Sequence, residues 1–109
     1  MSRSAQERFD DILNAIERCT NYREYLDAPD EQLAAMAYDA VLRNLAVVGE
    51  AVRALPAEVI SSIPDVPWAA IAGLRNVVIH EHFRVRPDLV REILDSELMP
   101  LADVLRGHR

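Results

Sequence analysis

Apolar residues recur along this chain at three- and four-residue steps, and the repeats divide it into four helical segments. The first runs from Ala5 to Leu26, where Phe9, Ile12, Leu13, Ile16, Cys19, Tyr22 and Leu26 make one stripe. Glu7, Arg8, Asp10, Glu17, Arg18 and Arg23 fall between them on the polar side. Ser4 suits the N-cap, and Glu7 three residues later completes a capping box. The stretch Asp27-Ala28-Pro29-Asp30 then reads as a turn.

A second helix is expected from Asp30 to Leu55. Leu33, Met36, Ala37, Ala40, Val41, Asn44, Leu45, Val48, Val52 and Leu55 give it a wide apolar face. Gly49 interrupts that face at a cost of ~1 kcal/mol relative to alanine, which is reasonable where a neighbouring helix comes close. Asn44 lies on the apolar side, either as a satisfied buried amide or as a contributor to an interface or site. Three prolines and Ser61-Ser62 break the pattern between Pro56 and Pro67, leaving a loop with one short helical turn around Glu58 to Ser61. A third helix opens at Trp68 and continues through Ile71, Ala72, Arg75, Val78 and Ile79 toward Glu81 or His82. A fourth runs from Pro87 to Leu105, with the proline in its first turn. Strand-like alternation is missing; Asn76-Val77-Val78-Ile79 is too brief to compete. The expected fold is all-α, an up-and-down four-helix bundle with a short extra helix, and residues 1–109 read as a single domain.

Composition narrows the setting. Half the residues are hydrophobic, enough for one core, and no apolar run approaches the roughly 20 residues of a membrane span. Met1 to Asp11 is polar, unlike a secretory leader. Cys19 stands alone, which excludes a disulfide within the chain. A cytoplasmic setting without membrane association is the resulting expectation. The net charge of -6 argues against a non-specific nucleic-acid coat. Charge is uneven, however: Arg75, Arg84, Arg86 and Arg91 cluster against only Glu81 and Asp88, so a local anion site is allowed on an acidic body. All 12 basic residues are arginine, whose planar fork suits phosphate.

The candidate chemistry centres on Arg75, Asn76 and His80. Asn76 and His80, four apart, share one helical face. Arg75 and His80, five apart, are separated by about 7.5 Å of rise and about 140° of rotation, too far round to bracket one atom from a single helix. Two copies meeting about a twofold axis would bring two such sets to one cleft. Histidine exchanges protons near neutrality, and arginine clamps phosphate and stabilises charge developing on it. Cyclising RNA hydrolysis needs those roles, with neither a metal nor a protein nucleophile. Asn76 would orient His80 or donate to phosphate. By spacing alone, structural hydrogen bonding or a solvated face is the commoner explanation of such a pair. His80 and His82 diverge on a helix and lack carboxylates to complete a metal site, so no metal or cofactor is expected. Arg84 and Arg86 stand where they would guide an anion, or simply form a solvated turn. Trp68 and Phe83 read as core or interface anchors, and Ser61-Ser62 lacks a nucleophile elbow.

The run Gly73-Leu74-Arg75-Asn76-Val77-Val78-Ile79-His80-Glu81-His82-Phe83 resembles the signature of the HepT-like proteins (DUF86) within the HEPN superfamily. Arg43-Asn44-Leu45, Val48-Gly49-Glu50-Ala51 and the Ile63-Pro64 to Pro67-Trp68 linker extend the likeness over most of the chain. The resemblance implies a HEPN-like bundle that forms a homodimer, with Arg75 and His80 of both subunits lining a shared cleft. It implies a metal-independent ribonuclease toxin of a toxin–antitoxin pair, acting on RNA and partnered by a minimal nucleotidyltransferase antitoxin. On that pattern Arg75 binds phosphate, Asn76 is its polar neighbour and His80 is the catalytic imidazole, with Arg84, Arg86 and His82 in supporting positions. One position departs. The toxin motif has a tyrosine two residues after the histidine, to which the antitoxin transfers AMP; here His82 stands in its place. Two alternatives remain beside the toxin: a non-catalytic helical partner or nucleotide-binding subunit of a nucleotidyltransferase, and a purely structural interaction protein.

Overall fold

The computed structural model describes residues 4–81 and 86–108, and all of their regular structure is helical. The first helix, α1 (Ala5–Tyr22), begins at the expected cap: Ser4 Oγ accepts from the Glu7 amide while Glu7 Oε1 accepts from the Ser4 amide. Its last turn tightens into a 3₁₀ segment, Arg23–Asp27, rather than remaining α-helical to Leu26. Helix α2 (Glu31–Arg53) follows, with the Asp30 carboxylate accepting from the amides of Gln32 and Leu33. The predicted turn within the proline-rich linker is present as α3 (Ala57–Ser62).

The third expected helix is interrupted. It forms as α4 (Trp68–Ala72) and α5 (Leu74–Glu81), divided at Gly73. Trp68 anchors the start: its ring is buried and its Nε1 donates to the Ile63 carbonyl at 2.9 Å, which gives the indole the partner that burial requires. The last segment comprises α6 (Pro87–Ile93), a π turn (Leu94–Leu98) and α7 (Met99–Arg106). Pro100 has no N–H to return to the preceding turn, and the Met99 amide reaches back five residues to the Leu94 carbonyl. The helix widens there instead of ending.

Together these elements form an up-and-down helical bundle with no strand among the described residues. Helix α2 is its axis, packed along α1 on one side and against α4 and α5 on the other. The π turn and α7 close over α1. The core comprises Ile12, Ile16 and Cys19 of α1, Val41, Leu45 and Val48 of α2, Ile71 of α4, and Leu98, Leu101 and Leu105 from the C-terminal segment. Two ion pairs tie the end of α1 to that segment: Arg23 grips Asp95 through two bonds of 3.0 and 2.7 Å, and Arg91 meets Asp27 at 2.8 Å. The Arg23 hydrogen bond holds the Asp95 carboxyl below its ordinary range. No described helix is long and apolar enough to cross a membrane.

The apolar face of α2 departs from expectation at its start. Leu33 and Met36 are exposed, while Tyr38 and Leu42, outside the predicted stripe, are buried. The buried arc is wide because α2 has neighbours on two sides, and a stripe drawn for one neighbour misplaces its edges. Asn44 resolves to a satisfied amide, its Nδ2 donating to the Ala40 carbonyl at 2.8 Å.

Gly49 lies at the crossing of α2 with α4 and α5. A Cβ there would stand 3.2 Å from the Arg75 amide nitrogen and 3.4 Å from the Ala72 carbonyl oxygen, both backbone atoms. Alanine therefore gains helix propensity while crowding the crossing, and the two effects nearly offset. Larger side chains have no compensation. Gly49→Ala is expected to change unfolding free energy by less than ~1 kcal/mol, whereas Gly49→Val loses ~1–3 kcal/mol, as read by urea denaturation. Burial pushes the Cys19 thiol up from 9.0 to about 12, so it should resist alkylation by iodoacetamide at pH 8 until denaturant unfolds the chain; rapid labelling of the native protein would contradict the buried placement.

Candidate functional site

Helix α5 carries Arg75, Asn76 and His80, and its two flanks meet different surroundings. Leu74 is buried and fixes the helix against the core, which leaves Arg75, Asn76 and His80 exposed. Arg75 follows the Gly49 crossing and extends onto α2, where its Nε pairs with Glu50 Oε1 at 3.1 Å. Both side chains are about half exposed, so the pair directs the guanidinium more than it stabilises the fold. Bonding through Nε leaves the terminal nitrogens of the fork available to an anion.

Asn76 and His80 turn the other way. They line a cleft of about 500 Å³ between α5 and the C-terminal segment, together with Leu74, Val77, Leu89, Ile93 and the acidic Glu97. Arg75 is absent from that lining. The structure thus brings Asn76 and His80 to one cleft, as their four-residue spacing predicts, and sends Arg75 to the opposite flank. Ile79 adds an exposed apolar side chain on the same helix.

The remaining expected positions divide between described and undescribed residues. Arg86 is exposed, and it is its backbone amide that is fixed, donating to the Tyr38 hydroxyl at 3.1 Å. His82, Arg84 and Phe83 lie outside the described residues. No three His, Cys, Asp or Glu side chains converge among the described residues in a way that would hold a metal ion.

Two contributors escaped sequence reasoning. Glu50 was visible only as part of a familiar segment, although an acid directly after the crossing glycine could have been matched to the arginine-bearing helix. Tyr38 gave no local signal because its bonding partner is 48 residues away.

Residues 12–107 match the family model described as Ribonuclease HepT-like. A candidate RNase of Methanocaldococcus jannaschii is 42% identical over 59 residues, covering 54% of this chain and 49% of that protein. Another from the same organism is 30% identical over 88 residues, covering 81% of each chain. A Thermococcus cleftensis protein named "Probable ribonuclease HepT" is 31% identical over 85 residues, covering 78% of this chain and 77% of its own. The aligned part spans about half the length of the first of these relatives and about four-fifths of the other two. No solved structure matches the chain.

The exposed Glu50–Arg75 pair yields a stability prediction. Glu50→Gln should shift the urea-unfolding free energy by less than ~1 kcal/mol. A larger loss would mean that the pair supports the helix crossing rather than directing the arginine.

Proposed function

The chain belongs to the Ribonuclease HepT-like family, and on that premise we propose that it is a metal-independent endoribonuclease toxin whose working site is assembled from two copies. The observation that carries this reading is the divergence of Arg75 and His80 on α5. One chain presents an imidazole in the cleft and a guanidinium on the other flank. Twofold pairing through α5 supplies both groups to one phosphate, and exposed Ile79 together with the apolar walls of the cleft offers surface for that pairing.

In the proposed reaction His80 takes the proton from an RNA 2′-hydroxyl, whose oxygen attacks the adjacent phosphorus. The bond to the 5′-oxygen breaks, a 2′,3′-cyclic phosphate remains, and the departing oxygen receives a proton from the imidazole of the second copy. Arg75 neutralises the charge that grows on the non-bridging oxygens, its terminal nitrogens free of the bond to Glu50. Asn76 holds the imidazole or the phosphate from the turn below. Arg84, Arg86 and His82, which follow Glu81 in the sequence, guide the strand in this scheme. The partner is a minimal nucleotidyltransferase antitoxin; with His82 at the position of the family's AMP-accepting tyrosine, inhibition here proceeds by binding or through another acceptor.

The test is cleavage of RNA by the purified protein in the presence of EDTA. His80→Ala and Arg75→Ala should each lower the rate by at least ~10²-fold, the scale of lost general acid–base or charge-stabilising groups. Equal cleavage by wild type and both variants would remove these residues from the site. A monomeric mass at micromolar concentration in light scattering would remove the two-copy arrangement.

A further inference from the structure

A second basic feature lies along the seam between α1 and α2, outside the α5 cleft. Two adjoining hollows of about 340 and 270 Å³ form one shallow groove there, sharing Asp11, Arg43 and Val47 in their lining. Arg8 and Glu50 belong to the first hollow, and Arg18 to the second. The helices run antiparallel, so the groove reads Glu50, Arg8, Arg43, Arg18 from one end to the other. Arg8 and Arg18 are ten residues apart on α1, about 15 Å of helix.

These arginines differ from others in the molecule. Arg23, Arg75, Arg91 and Arg106 each pair with a carboxylate. Arg8, Arg18 and Arg43, like Arg53 and Arg86, take part in none of the ion pairs found among the described residues, and these three meet on one seam. They do so in a chain of net charge -6, and they outnumber the acids lining the two hollows, Asp11 and Glu50. The groove also has a destination: Glu50, at its end, holds Arg75 at 3.1 Å.

We propose that the α1–α2 groove binds the phosphate backbone of single-stranded RNA through Arg8, Arg43 and Arg18, on the strand that continues from the bond presented to Arg75. This rests on the ribonuclease reading above. Guanidinium forks match phosphate oxygens, and a basic groove following the backbone is a common means of holding single strands without sequence preference. Val47, partly exposed between the arginines, offers apolar surface to a ribose or base. The acids that line the two hollows are Asp11 and Glu50, and Glu50 is the one paired with Arg75.

The test uses a fluorescein-labelled single-stranded RNA and the full chain carrying His80→Ala to prevent cleavage, with anisotropy measured over a range of salt. Combined Arg8→Gln, Arg18→Gln and Arg43→Gln should weaken binding by at least ~10-fold and reduce the slope of log Kd against log salt by about 2, since each single-strand phosphate contact contributes about 0.7. Substituting the same three positions by lysine should keep most of the slope, which separates lost charge from a damaged fold. On the active background, the ratio of kcat/KM for an oligonucleotide over a dinucleotide should fall at least ~10-fold in the glutamine variant. Unchanged affinity and slope in a folded glutamine variant would overturn the groove while leaving the ribonuclease reading intact. A parent protein that neither binds nor cleaves RNA would overturn both. Loss of binding to an acidic protein partner, with RNA affinity preserved, would reassign the groove to protein docking.

Discussion

The close approach of α2 to the α4–α5 junction, made possible by Gly49, is the constraint on which the candidate site depends. With backbone atoms of Ala72 and Arg75 within 3.2–3.4 Å of where a Cβ would stand, position 49 sets how near α5 lies to the bundle axis. Glu50 is the next residue, so the geometry that admits α5 also delivers a carboxylate to Arg75. Structure and chemistry are joined at this crossing. A bulkier residue would move the helix that carries all three candidate side chains, even though position 49 touches none of the proposed reacting atoms.

The consequences spread along α5. Burial of Leu74 and the crossing together determine the rotation of the helix, and rotation decides which residue faces which neighbour. Arg75 falls beside α2, and Asn76 and His80 fall beside the C-terminal segment. Helical geometry keeps an arginine and a histidine five residues apart on separate flanks, and the surroundings of this helix reinforce the separation. A site assembled from two copies follows more naturally from this arrangement than one closed within a single chain. In the proposed dimer, the shared cleft would hold phosphate through the Arg75 fork and transfer protons through His80, both exposed on α5.

Periodicity made most of the bundle legible. The cap at Ser4, the break at Pro29, the short helix near Glu58, the long helix α2 and the special role of Gly49 were all readable because local sequence determines them. The interruptions were not. The break at Gly73 and the π turn before Pro100 leave the apolar repeat nearly intact, so a pattern of hydrophobic positions runs straight through both. Burial of Tyr38 and exposure of Leu33 and Met36 depended on how many neighbours α2 has, information absent from any one segment. At the site, the shared face of Asn76 and His80 came from spacing alone. The Glu50–Arg75 pair required knowledge of which helices cross, and the chain separates the two residues by 25 positions.

The acidic composition sharpens the reading of the surface. Net charge governs long-range encounter, but a screening length of about 8 Å at physiological ionic strength limits what distant acids contribute at a given seam. Arg23, Arg91 and Arg106 are already matched by Asp95, Asp27 and Asp103, so they add little local field. Arg8, Arg18 and Arg43 are not matched in this way, and the groove they line ends at Glu50 beside the motif arginine. An overall negative protein can therefore repel nucleic acid from most of its surface and still admit a strand along one path. In the proposed groove, attraction acts on the phosphates of the strand, so it would set where a strand lies rather than which sequence it carries.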